Sequence, residues 1–448
     1  MSELIGKHAI VVGAGMSGLA AAKALSSHFA HVTVLERDTL PSEAAPRQGT
    51  PQARHVHALL AGGLSALKKL LPGIETDLEQ AGAVRLATED LRWERPGYDP
   101  FPQRNFGLSW LSASRPLLEF VTRQAVKRQK NIEFLGDCRL REFVTLPDGS
   151  AVTGVRYETR DGRIETLSAD FVVDASGRGR LALAVLDSMG FPKPEETEIG
   201  IDIAYSTAIF EQPEDAPSAW KTAIVLPSAP KDTRGAVLAP IENNLWIVGV
   251  SGNHGDAPPC DIEGFLAFVR TLRTTTVYDA IKDAKPVGEI FQYLLPCSTR
   301  RHFENLARFP RGLLPVGDAI CRFNPVFAQG MSVAAQEAVI LNRLLSERAV
   351  KIDPLDGLAS AFFGEIQAVL ETPWGVAKND FIYPKTRGTR PVDFERRLQL
   401  NFALARLAAQ DPSIHKLMFE VNHLLKPQSV LRAPEIAERA TKLMAAPA

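Results

Sequence analysis

Residues 9–25 read Ala9-Ile-Val-Val-Gly13-Ala-Gly15-Met-Ser17-Gly18-Leu-Ala-Ala-Ala-Lys-Ala-Leu25, and residues 31–36 read His31-Val-Thr-Val-Leu-Glu36. The short β-branched apolar run before Gly13 predicts a buried parallel strand. The glycines then turn the chain into a small-residue helix, and a second strand ends on an acid. Together they make one βαβ unit, whose parallel strands need cover on both faces. The spacing Gly13-x-Gly15-x-x-Gly18 suits a pyrophosphate, because glycines allow the tight turn and the close approach of an anion to N–H groups at a helix N-terminus. Ser17 and Arg37 flank these positions and join the candidate binding set. Glu36 follows at about the 20-residue distance at which a carboxylate accepts ribose hydroxyls and repels a 2′-phosphate. With strand, turn, helix and acid in that order, the stretch reads as a site for the ADP half of a dinucleotide.

Outward from this unit, residues 41–52 are a Pro- and Gly-containing loop, 58–71 a helix, and 92–102, with three prolines, irregular. Residues 115–128 are amphipathic and helical. Strands are expected at 131–135, 138–146, 151–158 and 164–167, the last two as a hairpin around Asp161-Gly162. Phe171-Val-Val-Asp174 is another buried strand. From 198 to 298 longer alternating strands predict an antiparallel sheet and a second domain. Residues 313–317 return to a buried strand, 331–345 form an interior helix, and 351–448 are mostly helical.

The chain has 448 residues, more than one simple core accommodates. Lys and Arg number 51 against 52 Asp and Glu, a net charge of -1, so no strong overall field draws the protein to nucleic acid or an anionic membrane. The four cysteines, Cys138, Cys260, Cys297 and Cys321, are dispersed without a CxxC pair, which argues for a reducing compartment and against a disulfide framework or zinc site. No transmembrane stretch or secretory leader is evident, and a cytoplasmic location is expected. G-x-S-x-G, Walker A and HExxH motifs are absent.

Two later stretches carry a resemblance. Ala169-Asp-Phe-Val-Val-Asp174-Ala-Ser-Gly177-Arg178-Gly-Arg180 resembles the second fingerprint of flavoprotein hydroxylases, although Asp174-Ala175 stands where that family has Asp-Gly. Leu314-Pro-Val-Gly317-Asp318-Ala319, then Asn324-Pro325 and Gln329-Gly330-Met331, resembles their third. With Arg47 to Leu60, Ser114-Arg115-Pro-Leu-Leu-Glu119 and Phe323 to Met331, the chain is similar to FAD-dependent monooxygenases of the para-hydroxybenzoate hydroxylase and squalene epoxidase type. Bacterial flavin epoxidases and hydroxylases of the polyether-pathway kind are the nearer likeness. The resemblance implies an α/β fold: a Rossmann-like FAD-binding domain of the glutathione-reductase type, an antiparallel-sheet substrate domain and a C-terminal helical region. The FAD-binding domain is expected to take residues 1–90, 113–194 and 305–350, with 91–112 an excursion into the substrate domain, 195–304 that domain itself and 351–448 the helical region.

The same resemblance implies that Asp318 bonds the ribityl chain of FAD and that the helix after Gly330 points its N-terminus at the flavin ring, where its positive end stabilises reduced flavin. Arg54 and Arg115 are expected beside the cofactor, with Arg47 a second candidate for its pyrophosphate, and Asp174 and Met331 complete the set. No residue is assigned to catalysis; His55, His57 and Pro325 are the flavin-facing candidates. His55-x-His57 lacks a third ligand, so no metal is expected. Ile201, Ile203 and Tyr205, alternating along one strand with Thr207, either line an apolar substrate pocket or cover the back of the sheet. The implied reaction inserts one oxygen atom from O2, through a flavin C4a-hydroperoxide, into an apolar unsaturated or aromatic molecule of secondary metabolism, by epoxidation or hydroxylation. An oxygen-independent FAD dehydrogenase, reductase or isomerase, and a non-catalytic flavin redox sensor, are the alternatives. No second GxGxxG follows, so electrons are expected from transiently bound NAD(P)H or from a separate flavin reductase. The Trp-x-Trp-x-Ile-Pro stretch of related flavin halogenases is missing.

Overall fold

In a computed structural model describing residues 4–445, the first strand, Gly6–Val12, lies at the middle of a five-stranded parallel sheet. Its order is Leu313–Pro315, Phe171–Asp174, Gly6–Val12, Phe29–Leu35 and Ile132–Leu135. Alternate side chains of the first strand enter two different cores, Ala9 and Val11 on one face and Ile10 and Val12 on the other. Helices Met16–Leu25, Arg115–Lys127 and Gly330–Arg348 cover the first face. The antiparallel strands Arg139–Thr145, Val152–Glu158 and Ile164–Ser168 cover the second, with Phe143 and Val155 against Val172. Chain connections leave the central strand towards both sides of the sheet, and ligands of open α/β sheets settle at the carboxyl end of such a switch point.

A second sheet has seven strands in the order Cys321–Arg322, Pro286–Arg301, Glu196–Glu211, Leu245–Gly252, Gly235–Ile241, Thr222–Val225 and Leu91–Glu94. Helices Ile262–Arg270 and Thr276–Ile281 bury one face against Phe210, Trp246, Val248 and Val250. The other face meets the loop around Val56 through Ile209, Ala239 and Ile247. The expected irregular stretch at 92–102 is corrected here: Leu91–Glu94 is a strand, paired in parallel with Thr222–Val225. The prolines fall outside it, and edge strands tolerate neighbouring proline because one row of N–H groups has no partner to lose.

The regular alternation expected for Ile201 to Thr207 holds from Ile203 to Thr207, where the register against Leu295 to Phe291 is unbroken, and is corrected only at Ile201. Between Gly200 and Ile203 the pairing with Pro286–Arg301 slips by one residue, a bulge in which Asp202 takes φ 41°. Ile201 and Ile203 are buried in the main core with Ile199 and Leu295.

The C-terminal region divides between two cores. Leu358–Glu365 and Gln367–Ala377 add Phe362, Phe363 and Trp374 to the main core. Phe394–Gln410, Pro412–Asn422 and Pro434–Ala445 form their own core around Leu404, Leu407 and Ile414, closed by Phe101. None of the described helices is long and apolar enough to cross a membrane.

Candidate functional site

The three glycines of the opening motif are required for three different reasons. Gly13 has φ +104°, and a Cβ there would lie 2.6 Å from the Ala175 carbonyl oxygen. A Cβ on Gly18 would lie 1.8 Å from the Gly13 oxygen, so only glycine lets the helix press onto the turn. Gly15 is unlike both: its backbone is extended (φ -74°, ψ -179°), and a Cβ there would meet nothing within 4 Å. Neither conformation nor protein packing demands glycine at 15. The open space at this helix N-terminus is what a pyrophosphate would fill.

The Gly317-Asp318 loop closes on the same place. Gly317, at φ +62°, would clash through a Cβ with Ser17 Oγ at 2.3 Å, and its N–H donates to Glu337 Oε2 at 2.8 Å. Asp318 is solvent-accessible, yet burial among surrounding protein raises its carboxyl pKa against the pull of Arg322 and Arg115. It therefore lines a recess, as a ribityl partner would. Asp174 is fully buried at the end of its strand; its Oδ1 accepts from the Ser176 N–H at 3.0 Å, and it shapes the recess from behind.

Helix Gly330–Arg348 begins after the turn Pro325–Phe327, capped by Asn324, whose Oδ1 accepts from the Val326 N–H at 3.2 Å. Ala328 adopts φ 53°, a left-handed conformation uncommon for alanine. Gly330 is exposed with open space beyond its Cα, Pro325 and Met331 are half-buried, and buried Gln329 has an unpaired Oε1. These features place a bare helix N-terminus on the recess. Among the described residues, then, the donors, the open glycines and the accessible acid fit an extended dinucleotide.

A buried ionic cluster stands beside it. Arg47 Nη1 lies 3.0 Å from both Glu36 Oε2 and Asp38 Oδ2, and Arg47 Nε lies 2.7 Å from Glu119 Oε1. Arg115 Nη2 reaches Glu119 Oε2 at 3.0 Å, while Arg115 Nη1 is buried without a partner. Burial pushes the Glu119 carboxyl up, but Arg115 and Arg47 outweigh it and hold its pKa below the usual carboxylate range. Glu36 also accepts from the Ala14 N–H at 2.8 Å, so it buttresses the glycine turn directly. Arg37 is exposed and donates to the Gly49 carbonyl at 3.0 Å. Arg54 is exposed too, stacked 4.2 Å above Phe291 of the second sheet. The structure thus separates Arg54 from the Arg47–Arg115 cluster.

His55 is buried, bonds Thr207 Oγ1 through Nδ1 at 2.9 Å, and sets its ring 4.6 Å from Tyr205 and 6.0 Å from Tyr293. His57 Nδ1 bonds the His55 carbonyl at 3.0 Å. Burial, with Arg54 beside His55 and Arg115 beside His57, lowers both imidazoles to about 4, so both are neutral at physiological pH. No cluster of three or more metal-ligating side chains occurs among the described residues. Tyr205 keeps the face that Thr207 and His55 share.

Glu337 and Asp380 went unnoticed in the sequence, where each is one acid in a helical stretch. Burial pushes Glu337 up to about 7, with neighbouring Asp318 adding to the rise. A carboxyl whose folded pKa is raised contributes stability at low pH that is lost as pH climbs from about 4.5 to about 7. In flavin-free protein, Glu337→Gln is therefore expected to be more stable than wild type at alkaline pH, by about 3 kcal/mol, and to unfold at a correspondingly higher temperature. Calorimetric scans should show the difference vanishing towards acidic pH.

A parallel sheet with a glycine turn at its switch point, an acid on a second loop and a bare helix N-terminus define an FAD-binding flavoprotein. The chain belongs to the FAD binding domain family, whose model matches residues 7–350. It is 31% identical over 367 residues to Protein Rv3254 of Mycobacterium tuberculosis, covering 76% of this chain and 73% of that one. The fold is similar to that of the flavin-dependent brominase Bmp2, with a TM-score of 0.69, 15% identity and 98% of each chain covered. It also resembles PqsL of Pseudomonas aeruginosa, described as a probable FAD-dependent monooxygenase, with a TM-score of 0.61, 16% identity and coverage of 84% and 96%.

Proposed function

We infer that the protein is an FAD-dependent monooxygenase acting on an apolar unsaturated or aromatic small molecule, by epoxidation or hydroxylation. The observation that carries this reading is the aromatic cluster in which His55, from the loop after Pro51–Arg54, packs on Tyr205 and Tyr293 of the second sheet, two residues before His57, which neighbours Arg115. Bound FAD would supply electron transfer to O2 and delivery of one oxygen atom. The overall balance is substrate, O2, NAD(P)H and a proton giving oxygenated substrate, water and NAD(P)+, with the reducing equivalents arriving directly or through a separate reductase. The protein's share is to hold and to exclude. Gly15, Ser17 and Gly18 would present N–H groups to the pyrophosphate, while Gly13, whose N–H donates to the Leu35 carbonyl at 2.7 Å, would serve the turn alone. Glu36 would face ribose, Arg115 would offset negative charge and Asp318 would bind ribityl hydroxyls. The N-terminus of Gly330–Arg348 offers positive potential to the ring. Neutral His55 and His57 keep the substrate side free of buried charge. The four unpaired thiols support a cytoplasmic setting.

The test is turnover of a panel of alkenes and arenes by the FAD-loaded protein with NAD(P)H, with and without a flavin reductase, under isotopically labelled O2. One labelled oxygen atom in the product is the expected result, and undiminished turnover without O2 overturns the reading. Tyr205→Ala is expected to weaken apolar substrate binding about tenfold, from lost aromatic contact area, with flavin content unchanged. Equal KM values in the two proteins would move the pocket elsewhere.

A further inference from the structure

The segment Lys378–Ile382 and the residues after it tie three parts of the molecule together. Arg387 and Gly200 exchange backbone hydrogen bonds, each 2.9 Å, which clasps the segment to strand Glu196–Glu211. The Tyr383 hydroxyl donates to the Asp232 carbonyl at 3.0 Å. Asp380, 6% exposed, faces the turn that leads into helix Gly330–Arg348, where Asn324 Nδ2 donates to its Oδ2 at 3.2 Å.

This small network determines where a proton can sit. The Val326 N–H donates to Asn324 Oδ1, which orients the amide so that its NH2 group faces Asp380. That NH2 requires an acceptor, so Oδ2 of Asp380 is the acceptor oxygen and any carboxyl proton belongs to Oδ1. Asp380 forms no ion pair among the described residues, and its Oδ1 has no protein partner without being sealed from solvent. Burial without a cation favours the neutral carboxyl over the ionised one, because ionisation leaves an uncompensated charge in low dielectric.

We propose that Asp380 presents an O–H donor from Oδ1 to an acceptor oxygen of the substrate, a ketone, ether or hydroxyl, and so selects among otherwise apolar molecules. The proposal rests on the oxygenase reading only in placing the substrate between the flavin-facing turn and the second sheet. Desolvation raises the Asp380 carboxyl to about 7, so the donor is present in acid and lost as pH rises through that value. The titratable neighbours are Lys378 and Tyr383 on the same segment, His254, whose ring lies 5.7 Å from Tyr383, and Asp318 and Arg322 on the chain leading to Asn324. Asp202 and Arg387 pair with each other at the surface. None of these is bonded to the Asp380 carboxyl.

The experiment is calorimetric titration of FAD-loaded holoprotein with 1-tetralone and with tetralin, a ketone and its hydrocarbon counterpart, at about pH 5.5 and about pH 8.5. Wild type should prefer the ketone about tenfold in acid, the size of one net hydrogen bond, and lose that preference at alkaline pH. Asp380→Asn should keep the preference at both pH values, because its carbonyl accepts from Asn324 and its NH2 replaces the hydroxyl donor. Asp380→Leu should show none at either pH. Bound flavin reports whether each variant is folded, and the Asp380→Asn arm stands even where Asp380→Leu is not. A ketone preference independent of pH in wild type, or surviving in Asp380→Leu, overturns the proposal, as does failure of both probes to bind. An intact pattern without oxygen transfer removes the oxygenase reading alone, and oxygen transfer without the pattern removes this one alone.

Discussion

Gly15→Asp is expected to leave flavin-free protein at least as stable as wild type and to abolish FAD binding. Aspartate is a favoured N-cap residue, so the helix Met16–Leu25 accepts it without cost, and the space around Gly15 is open. The carboxylate would then occupy the place of the pyrophosphate and repel it. Loss of several charge-assisted hydrogen bonds, about 1.5–3 kcal/mol each, puts the effect at three orders of magnitude or more in Kd. Gly15→Asn, which caps as well but carries no charge, should fall between the two. Gly18→Ala should do the reverse, lowering stability outright, since its Cβ would lie 1.8 Å from the Gly13 oxygen. Thermal scans of flavin-free protein and fluorescence titration with FAD separate the cases. Normal flavin binding by Gly15→Asp would remove the cofactor assignment at this turn.

The largest stability effect is expected from Glu119→Leu. The single carboxylate of Glu119 is shared by Arg47, Arg115 and, at 3.8 Å, Arg123, all of them buried. Removing it strands guanidinium charge in the interior, and breaking such a pair from one side costs roughly 3–5 kcal/mol. Because the pKa of Glu119 is depressed, its contribution is full above the usual carboxylate range and lost as pH falls through its folded value. Denaturant titrations of wild type and variant should therefore differ most near neutrality and converge in acid. A midpoint unchanged at neutral pH would show that water or relaxation already screens the cluster.

The first βαβ unit was readable because its signals are local: a β-branched run, glycines whose constraints lie within the turn, and an acid at the next strand's end. The second and third fingerprints are local in the same way, and the strands Phe171–Asp174 and Leu313–Pro315 form where those stretches begin. What escaped notice depends on pairing across long separations. Leu91–Glu94 is too short and too polar to read as a strand alone, and it is held by Thr222–Val225 more than a hundred residues away. Pro286–Arg301 contains Pro296 and Gly288, which suggest interruption, yet among the described residues its outer edge pairs with Cys321–Arg322 alone, near its end, so a missing N–H costs little there. The bulge at Asp202 sets Ile201 out of step with the period-2 pattern that Ile203 and Tyr205 keep. Arg54, expected beside the cofactor from the resemblance, stacks on Phe291 of the second sheet, a contact that no local signal in residues 47–60 announces. Asp380 carries no local signature at all; its character comes from burial beside Asn324.

The order of strands in the five-stranded sheet has a consequence for synthesis. Its edge strand Leu313–Pro315 pairs with Phe171–Asp174, which in turn pairs with the first strand of the chain. While the polypeptide is leaving the ribosome, Phe171–Asp174 therefore waits with an open apolar edge until some 140 further residues have been translated. Covering that edge during the wait, by co-expressing a chaperone that shields unpaired strands, should raise the soluble yield, and the ratio of soluble to total protein with and without it is the measurement.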